Sequence, residues 1–304
     1  MLPSATEIVY ALGLEDRLVA VTHECDFPDA ALRKPRVTRS RIHQGMPSKD
    51  IDLMVRRQLD DSGTLYELDV QTLDALSPDI ILTQQLCTVC AVSYDNVFRA
   101  AQSIRSKPEA INLEPSSLEE IYGNILLVGD LAGVKERAEE FVAGLRRRVS
   151  EVERLAKNAL RRNILCLEWV DPPFCAGHWT PELVELAGGY DSLGRKHQPS
   201  AQLSPERIVD YNPEILVIMC CGFTIDRALT EIPLLSKIGI ESIDAIQHDQ
   251  VYLVDGSAYF NRPGPRIIDS LEILASIFHP EIFGNRFGNS IVRRIHIQQL
   301  VELS

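Results

Sequence analysis

The sequence predicts an α/β protein built as two Rossmann-like lobes with mostly parallel sheets, bridged by one long helix. Three observations carry this. Short β-branched runs alternate with helical patterns along the chain, two junctions recur in the same order in both halves, and an unbroken amphipathic stretch lies between the halves. Such alternation is what parallel strands joined by crossover helices require.

The N-terminal lobe is expected over residues 1–133. It opens almost at once on a helix pattern after Met1-Leu2-Pro3-Ser4, so a first strand is expected to have been trimmed away. Leu18 to Val21 and Ile80 to Thr83 read as strands of this lobe. Residues 134–160 read as one spine helix, because Ala138, Phe141, Val142, Leu145, Val149, Val152 and Leu155 recur at three- and four-residue steps. The C-terminal lobe is expected over residues 161–284, with strands at Ile164 to Leu167, Ile215 to Met219 and Val251 to Val254. Residues 285–304 read as a tail forming a short basic amphipathic helix through Ile291, Ile295 and Leu300, able either to cap a lobe or to contact a partner.

The halves echo one another. Leu76-Ser77-Pro78-Asp79-Ile80-Ile81-Leu82 matches Tyr211-Asn212-Pro213-Glu214-Ile215-Leu216-Val217; in each, a helix stops before proline and a strand follows. Thr6-Glu7-Ile8-Val9 through Gly13 likewise matches Pro181-Glu182-Leu183-Val184 through Gly188-Gly189. Two echoes in one order point to a repeated lobe.

Composition removes several functions. The net charge of -12 over 304 residues argues against a nucleic-acid partner, which needs a concentrated basic surface. The basic run Arg146-Arg147-Arg148, with Arg154, Lys157, Arg161 and Arg162, is interleaved with glutamates and reads as a solvated helix face. No stretch reaches the roughly 20 apolar residues of a membrane span. Seven cysteines without framework spacing, and no visible secretory signal, read as reduced thiols in a cytoplasm. If the N-terminus has been trimmed, the reading becomes periplasmic or extracellular.

Ligands of open α/β sheets bind beyond the carboxyl ends of the strands, and the unusual residues fall there. Thr22-His23-Glu24-Cys25-Asp26 follows the first expected strand, and Gln84-Gln85-Leu86-Cys87-Thr88-Val89-Cys90 the second. In the other half, Glu168-Trp169, Phe174, His178 and Trp179 follow one strand, Cys220-Cys221-Gly222-Phe223 the next, and Asp255 to Arg262 the last. Trp169 and Trp179, beside His178 and Tyr259-Phe260, suit the walls of a pocket for a flat, largely apolar ligand. Arg262 offers donors to a carboxylate or phosphate, or else pairs with Asp255. Cys87 and Cys90, with Cys25 and His23, fit a zinc or iron site or a thiol-redox pair; the thiols equally suit burial as small apolar side chains. Cys220-Cys221 and Cys166 read as buried. Glu24 and Glu168 form the only candidate carboxylate pair, and no nucleophile elbow, phosphate loop or dinucleotide fingerprint occurs, so an enzyme is not expected.

These residues also carry a resemblance. Leu2-Pro3-Ser4-Ala5-Thr6-Glu7 with Ala11-Leu12-Gly13, then Asp16-Arg17-Leu18-Val19, resembles the opening of the periplasmic-binding family for cobalamin and iron-siderophores. The Pro78-Asp79-Ile80-Ile81 junction, the spine helix, the Glu182 to Gly189 segment and the Gly256 to Pro265 region resemble it too, and the likeness runs to about Glu281. The His-Glu-Cys-Asp and Cys-x-x-Cys loops place the chain nearest cobalamin-binding-like members.

The resemblance implies two lobes bridged by one helix, with a corrinoid or other metal-tetrapyrrole or metal chelate held between them. The site it implies comprises His23, Glu24, Cys25, Gln85, Cys87, Cys90, Glu168, Trp169, His178, Trp179, Tyr259, Phe260 and Arg262. It also implies an ABC permease partner, docked by a glutamate on each lobe. Glu206 occupies that position in the second lobe, but Gln71 occupies it in the first, and a neutral amide lacks the charge-assisted bond. The competing reading is a metal or thiol-redox protein centred on Cys25, Cys87 and Cys90.

Overall fold

The computed structural model describes residues 1–40, 45–60, 66–84 and 94–296, and the chain separates into two compact units. The first comprises Met1–Pro115 and Glu119–Val142, the second Ser116–Leu118 and Ala143–Ser304.

In the first unit, helix α1 (Pro3–Ala11) starts with proline, whose missing N–H costs a helix nothing at its first turn, and ends before Gly13 at φ 62°. Strand β1 (Thr38–Ser40), helix α2 (Ser48–Asp60) and strand β2 (Tyr66–Leu68) follow, with β1 and β2 antiparallel. Helix α3 (Val70–Leu76) is capped at its start by the Asp69 carboxylate, which accepts from the Thr72 N–H at 2.9 Å. Strand β3 (Ile80–Thr83) leads to helix α4 (Tyr94–Ser103) and strand β4 (Glu109–Asn112), which pairs parallel to β3. Val37, Tyr66, Leu73, Ile81, Val97, Ala101 and Ile104 close the core between these elements. Helix α5 (Leu118–Leu131) completes the unit.

Helix α6 (Lys135–Ala156) runs for 22 residues, its first turns assigned to the first unit and its remainder to the second. It is four residues shorter at its end than the expected spine, because Lys157-Asn158 breaks the apolar stripe and the chain turns at Ala159. In the second unit Arg148 of this helix bonds Asp269 at 2.6 Å and Glu272 at 2.9 Å.

The second unit is built on β5 (Arg162–Trp169), flanked by the short strands β6 (Phe174–Cys175) and β8 (Gly189–Tyr190). Strand β7 (Gly177–His178) pairs with β9 (Arg195–Lys196). Helices α7 (Thr180–Leu186) and α8 (Pro205–Tyr211) precede β10 (Ile215–Ile218), which lies parallel to β5. Three short helices, α9 (Ile225–Leu229), α10 (Leu234–Lys237) and α11 (Asp244–Gln247), lead to β11 (Val251–Val254), parallel to β10. Helices α12 (Ile267–Phe278) and α13 (Pro280–Phe283) and strand β12 (Val292–Ile295) end the described chain. The sheet order is β12-β11-β10-β5-β6, with β8 also on β5. β10 is buried at every position, as a strand covered on both faces must be.

Both sequence echoes are structural. Ser77 after α3 and Asn212 after α8 each take a left-handed φ, 46° and 45°, and each is followed by proline and a parallel strand. Gly13 after α1 and Gly188 after α7 take φ 62° and 83°. The two halves thus end equivalent helices by the same backbone device.

Two expected elements are corrected. Leu18 to Val21 is not a strand; only Val21 forms a bridge, to Arg36, because no described strand lies alongside its preceding residues. The tail is not an amphipathic helix where it is described. Val292–Ile295 adds antiparallel to β11, because a β-branched run beside an unpaired strand edge gains more from ladder bonds than from an isolated short helix. Leu300 lies outside the described residues.

Candidate functional site

In the second unit, the residues after β5, β10 and β11 gather as predicted for a parallel sheet. Trp169, the last residue of β5, tilts against Phe223 after β10, with ring centroids 5.0 Å apart. The Arg227 guanidinium lies 4.1 Å over the same Phe223 ring. It also bonds Glu231 at 2.6 Å, which fixes its position. Trp169 Nε1 is buried without a hydrogen-bond partner among the described residues. Phe223 and Arg227 were absent from the expected site. The signal was present in the sequence: an aromatic just past a strand end, with a cation four residues on.

Glu168 precedes Trp169 and points differently. Its carboxylate accepts from the Gly177 N–H at 2.9 Å and from the Ser200 hydroxyl, and burial raises its pKa. It therefore ties β5 to the turn that carries β7 and positions His178. His178 takes a left-handed φ of 52° and stacks on Trp179, centroids 5.5 Å apart. Burial lowers the pKa of its imidazole and favours the neutral ring, and its Nδ1 has no partner among the described residues.

Trp179 and Phe260 differ from the expectation of exposed walls. They are 5 % and 1 % exposed, and Trp179 Nε1 donates to the Phe260 carbonyl at 3.0 Å. That bond anchors the turn Gly256–Phe260 to the start of α7, so these two rings shape the site from behind. Tyr259 stays partly accessible, with the Arg266 guanidinium 5.3 Å from its ring, and burial raises its phenol pKa. Arg262 is buried, while Asp255 caps the turn by accepting from the Ala258 N–H at 2.8 Å.

In the first unit, the His23 N–H donates to Thr38 Oγ1 at 3.0 Å, and His23 Nδ1 lies 2.7 Å from the same oxygen. An oxygen that already accepts one proton is best used as donor to Nδ1, which places the ring proton on Nε2, 3.9 Å from the Glu24 carboxylate. The ring packs against Tyr66 at 5.3 Å, and burial with the charge of Arg36 lowers its pKa.

Cys25 is the clearest correction. Its thiol is 1 % exposed and lies 3.2 Å from Thr6 Oγ1 and 3.1 Å from Thr22 Oγ1. A thiol enclosed by hydroxyl partners acts as a small core group, not as an open metal ligand. No cluster of three or more His, Cys, Asp or Glu among the described residues could hold a metal, so His23 and Cys25 lack the companions a metal site needs there. Gln85, Cys87 and Cys90 lie outside the described residues. Cys166 and Cys220 are buried, as expected, and burial pushes their thiols up in pKa. Cys221 is only half-buried. Replacing Cys25 with alanine should lower stability by about 1–2 kcal/mol, as small core truncations do. Ligand affinity should remain within twofold. Urea unfolding beside a binding titration checks this, and the reverse pattern would return Cys25 to the ligand site.

Among the described residues no helix is long and apolar enough to cross a membrane. The comparisons with known proteins agree with the fold. The Periplasmic binding protein family matches residues 2–258. The chain is 26% identical over 275 residues to the Vitamin B12-binding protein of Vibrio cholerae, covering 89% of this chain and 84% of that protein. It is 22% identical over 294 residues to the Uncharacterized ABC transporter substrate-binding lipoprotein YvrC of Bacillus subtilis, covering 93% and 80%. A periplasmic heme binding protein from Pseudomonas aeruginosa superposes with a TM-score of 0.71 at 20% identity, covering 96% of this chain and 95% of that one. With its matched span running through both units, the chain belongs to the periplasmic binding protein family.

Proposed function

We propose that this chain is a solute-binding protein whose ligand is a corrinoid or a closely related metal-tetrapyrrole. The observation that carries the reading is the aromatic and cationic shelf of Trp169, Phe223 and Arg227 beyond the carboxyl ends of β5 and β10. Flat conjugated rings and a fixed guanidinium suit a planar macrocycle with carboxylate or amide side groups. The similarity to a Vitamin B12-binding protein over most of both chains supports a corrinoid, and the structural likeness to a heme binding protein supports a macrocycle. His178 and Tyr259 are the second unit's further contact residues in this reading, and His23 and Glu24 those of the first. Glu168, Trp179 and Phe260 hold the shelf in place. No catalytic step is assigned to any of them.

An ABC permease partner follows from the same family. Glu206 in α8 and Gln71 in α3 occupy equivalent exposed places, two residues after the capping Ser204 and Asp69. In this reading Glu206 docks through its carboxylate and Gln71 contributes no charge. The family's periplasmic members support a site of action outside the cytoplasm and give no support to the cytoplasmic alternative.

Titration with cyanocobalamin and with hemin, followed by tryptophan fluorescence, tests the reading. Binding at micromolar or tighter affinity is expected, with Trp169→Ala weakening it at least tenfold, or about 1.4 kcal/mol. The melting temperature of that variant should fall by only a few degrees. Flat titrations of the wild-type protein with both macrocycles would overturn the ligand class.

A further inference from the structure

The first unit contains a slot that the proposed ligand does not use. A cavity of about 410 Å³ lies among α1, α3, α5, β3 and the extended segment Leu18–Val21. Its walls are mostly apolar: Val9, Leu18, Val21, Leu73, Ile81 and Val128 are among them. Apolar side chains at the slot also reach solvent, with Val19 41 %, Ile80 37 % and Leu131 37 % exposed.

The backbone on two sides of the slot is unsatisfied in the same manner. Among the described residues β3 pairs only with β4, which leaves its other edge open. Across the slot, Val19 and Ala20 make no main-chain hydrogen bond among the described residues, while Val21 turns both of its bonds toward Pro35 and Val37. Two strand-like edges facing one apolar space describe a site for an extended chain, since a small apolar ligand would leave both rows of amides and carbonyls unmet.

The third observation identifies the occupant. The amino group of Met1 donates to the Leu82 carbonyl of β3, the bond that a strand parallel to β3 would make at its carboxyl end. That amine is buried, and desolvation lowers its pKa to about 5. A neutral peptide N–H would meet the same carbonyl without the cost of burying a charge. Met1 also leads straight into α1, so the path into the slot runs backwards from Met1, past Ile81 and Ile80 toward Asp79.

We infer that the slot is a strand-acceptor groove, filled by an extended segment joined directly to the amino group of Met1 and running parallel between Leu18–Val21 and Ile80–Thr83. Flanked by strands on both edges and helices beneath, that segment must be a continuous apolar run, not an alternating one. At about 3.3 Å per residue, four or five residues span the length of β3. With it in place, Leu18–Val21 becomes the strand that its β-branched composition calls for.

The test joins Thr-Val-Val-Ile-Val to the amino side of Met1, with a Gly-Ser-Gly-Ser-Gly extension as control. The apolar extension should raise the melting temperature by at least 5 °C. It should also slow hydrogen exchange of the Val19, Ala20, Ile81 and Leu82 amides at least tenfold, with neither change in the control. Equal exchange in both proteins overturns the inference, as does tenfold protection of Val19 and Ala20 in the chain without an extension. Sedimentation gives a further arm. If the unextended chain dimerises through this face and Val19→Lys dissolves the dimer, a second copy is the occupant and the inference fails. None of these readings depends on macrocycle binding, so the groove and the ligand assignment stand or fall separately.

Discussion

Replacement of Asp191 by alanine is expected to destabilise the protein by about 3–5 kcal/mol. The Asp191 carboxylate accepts from the Cys166 N–H at 3.1 Å, the Leu193 N–H at 3.0 Å and the Gly194 N–H at 2.9 Å. Each buried donor left without a partner costs about 1–3 kcal/mol, and three lose theirs together. Asparagine is not a conservative substitute. Its NH₂ group would face either Cys166 or the Leu193 and Gly194 amides, setting donor against donor.

The same residue gives stability a pH signature. Burial raises the Asp191 pKa from 3.8 to about 6, the three N–H donors opposing the shift only in part. Between those values the folded protein binds more protons than the unfolded chain, so this group's contribution is full below about pH 4 and is lost as pH rises to about 6. Urea unfolding of wild type and Asp191→Ala across pH 4 to 7 should show a difference that widens toward acid. A difference that narrows toward acid would show that the carboxylate is stabilised on folding.

The second large effect is expected at Gly256, where β11 gives way to the turn Gly256–Phe260. A Cβ at that position would sit 2.3 Å from the Cys220 carbonyl oxygen and 2.7 Å from that of Met219. Both contacts are backbone of the chain leaving β10, so no side-chain rotation relieves them. Gly256→Ala must therefore separate the ends of β10 and β11 and carry Tyr259 away from Phe223 and Trp169. Overpacking of this kind costs about 1–3 kcal/mol or more. A melting temperature lowered by several degrees is expected, together with a macrocycle affinity reduced more than tenfold. Unchanged affinity in a destabilised variant would remove the Gly256 turn from the ligand site.

The division between what was legible in the sequence and what was not follows the range of the interactions. Helix ends were legible because they are local. Pro78 and Pro213 forbid the preceding helices from continuing, and the left-handed Ser77 and Asn212 follow from that constraint. The stripe of Ala138 to Leu155 marked α6 to within four residues of its end for the same reason. Strands Ile80–Thr83, Ile215–Ile218 and Val251–Val254 were legible as buried β-branched runs.

Pairing is not local, and there the sequence fell silent. Leu18 to Val21 has strand composition, yet its ladder depends on a neighbour that composition does not supply. Val292–Ile295 fits a short helix as well as a strand, and only the free edge of β11 decided between them. The site residues divide in the same way. By type and position alone, Trp169 and Trp179 are equivalent aromatics near strand ends, as Cys25 is equivalent to any loop thiol. Tertiary structure made Trp179 an anchor by giving its indole N–H the Phe260 carbonyl, and enclosed Cys25 between two threonine hydroxyls. It left Trp169 on the shelf with Phe223 and Arg227. A residue's chemistry is written in the sequence, but its access to a ligand depends on which distant groups satisfy it first.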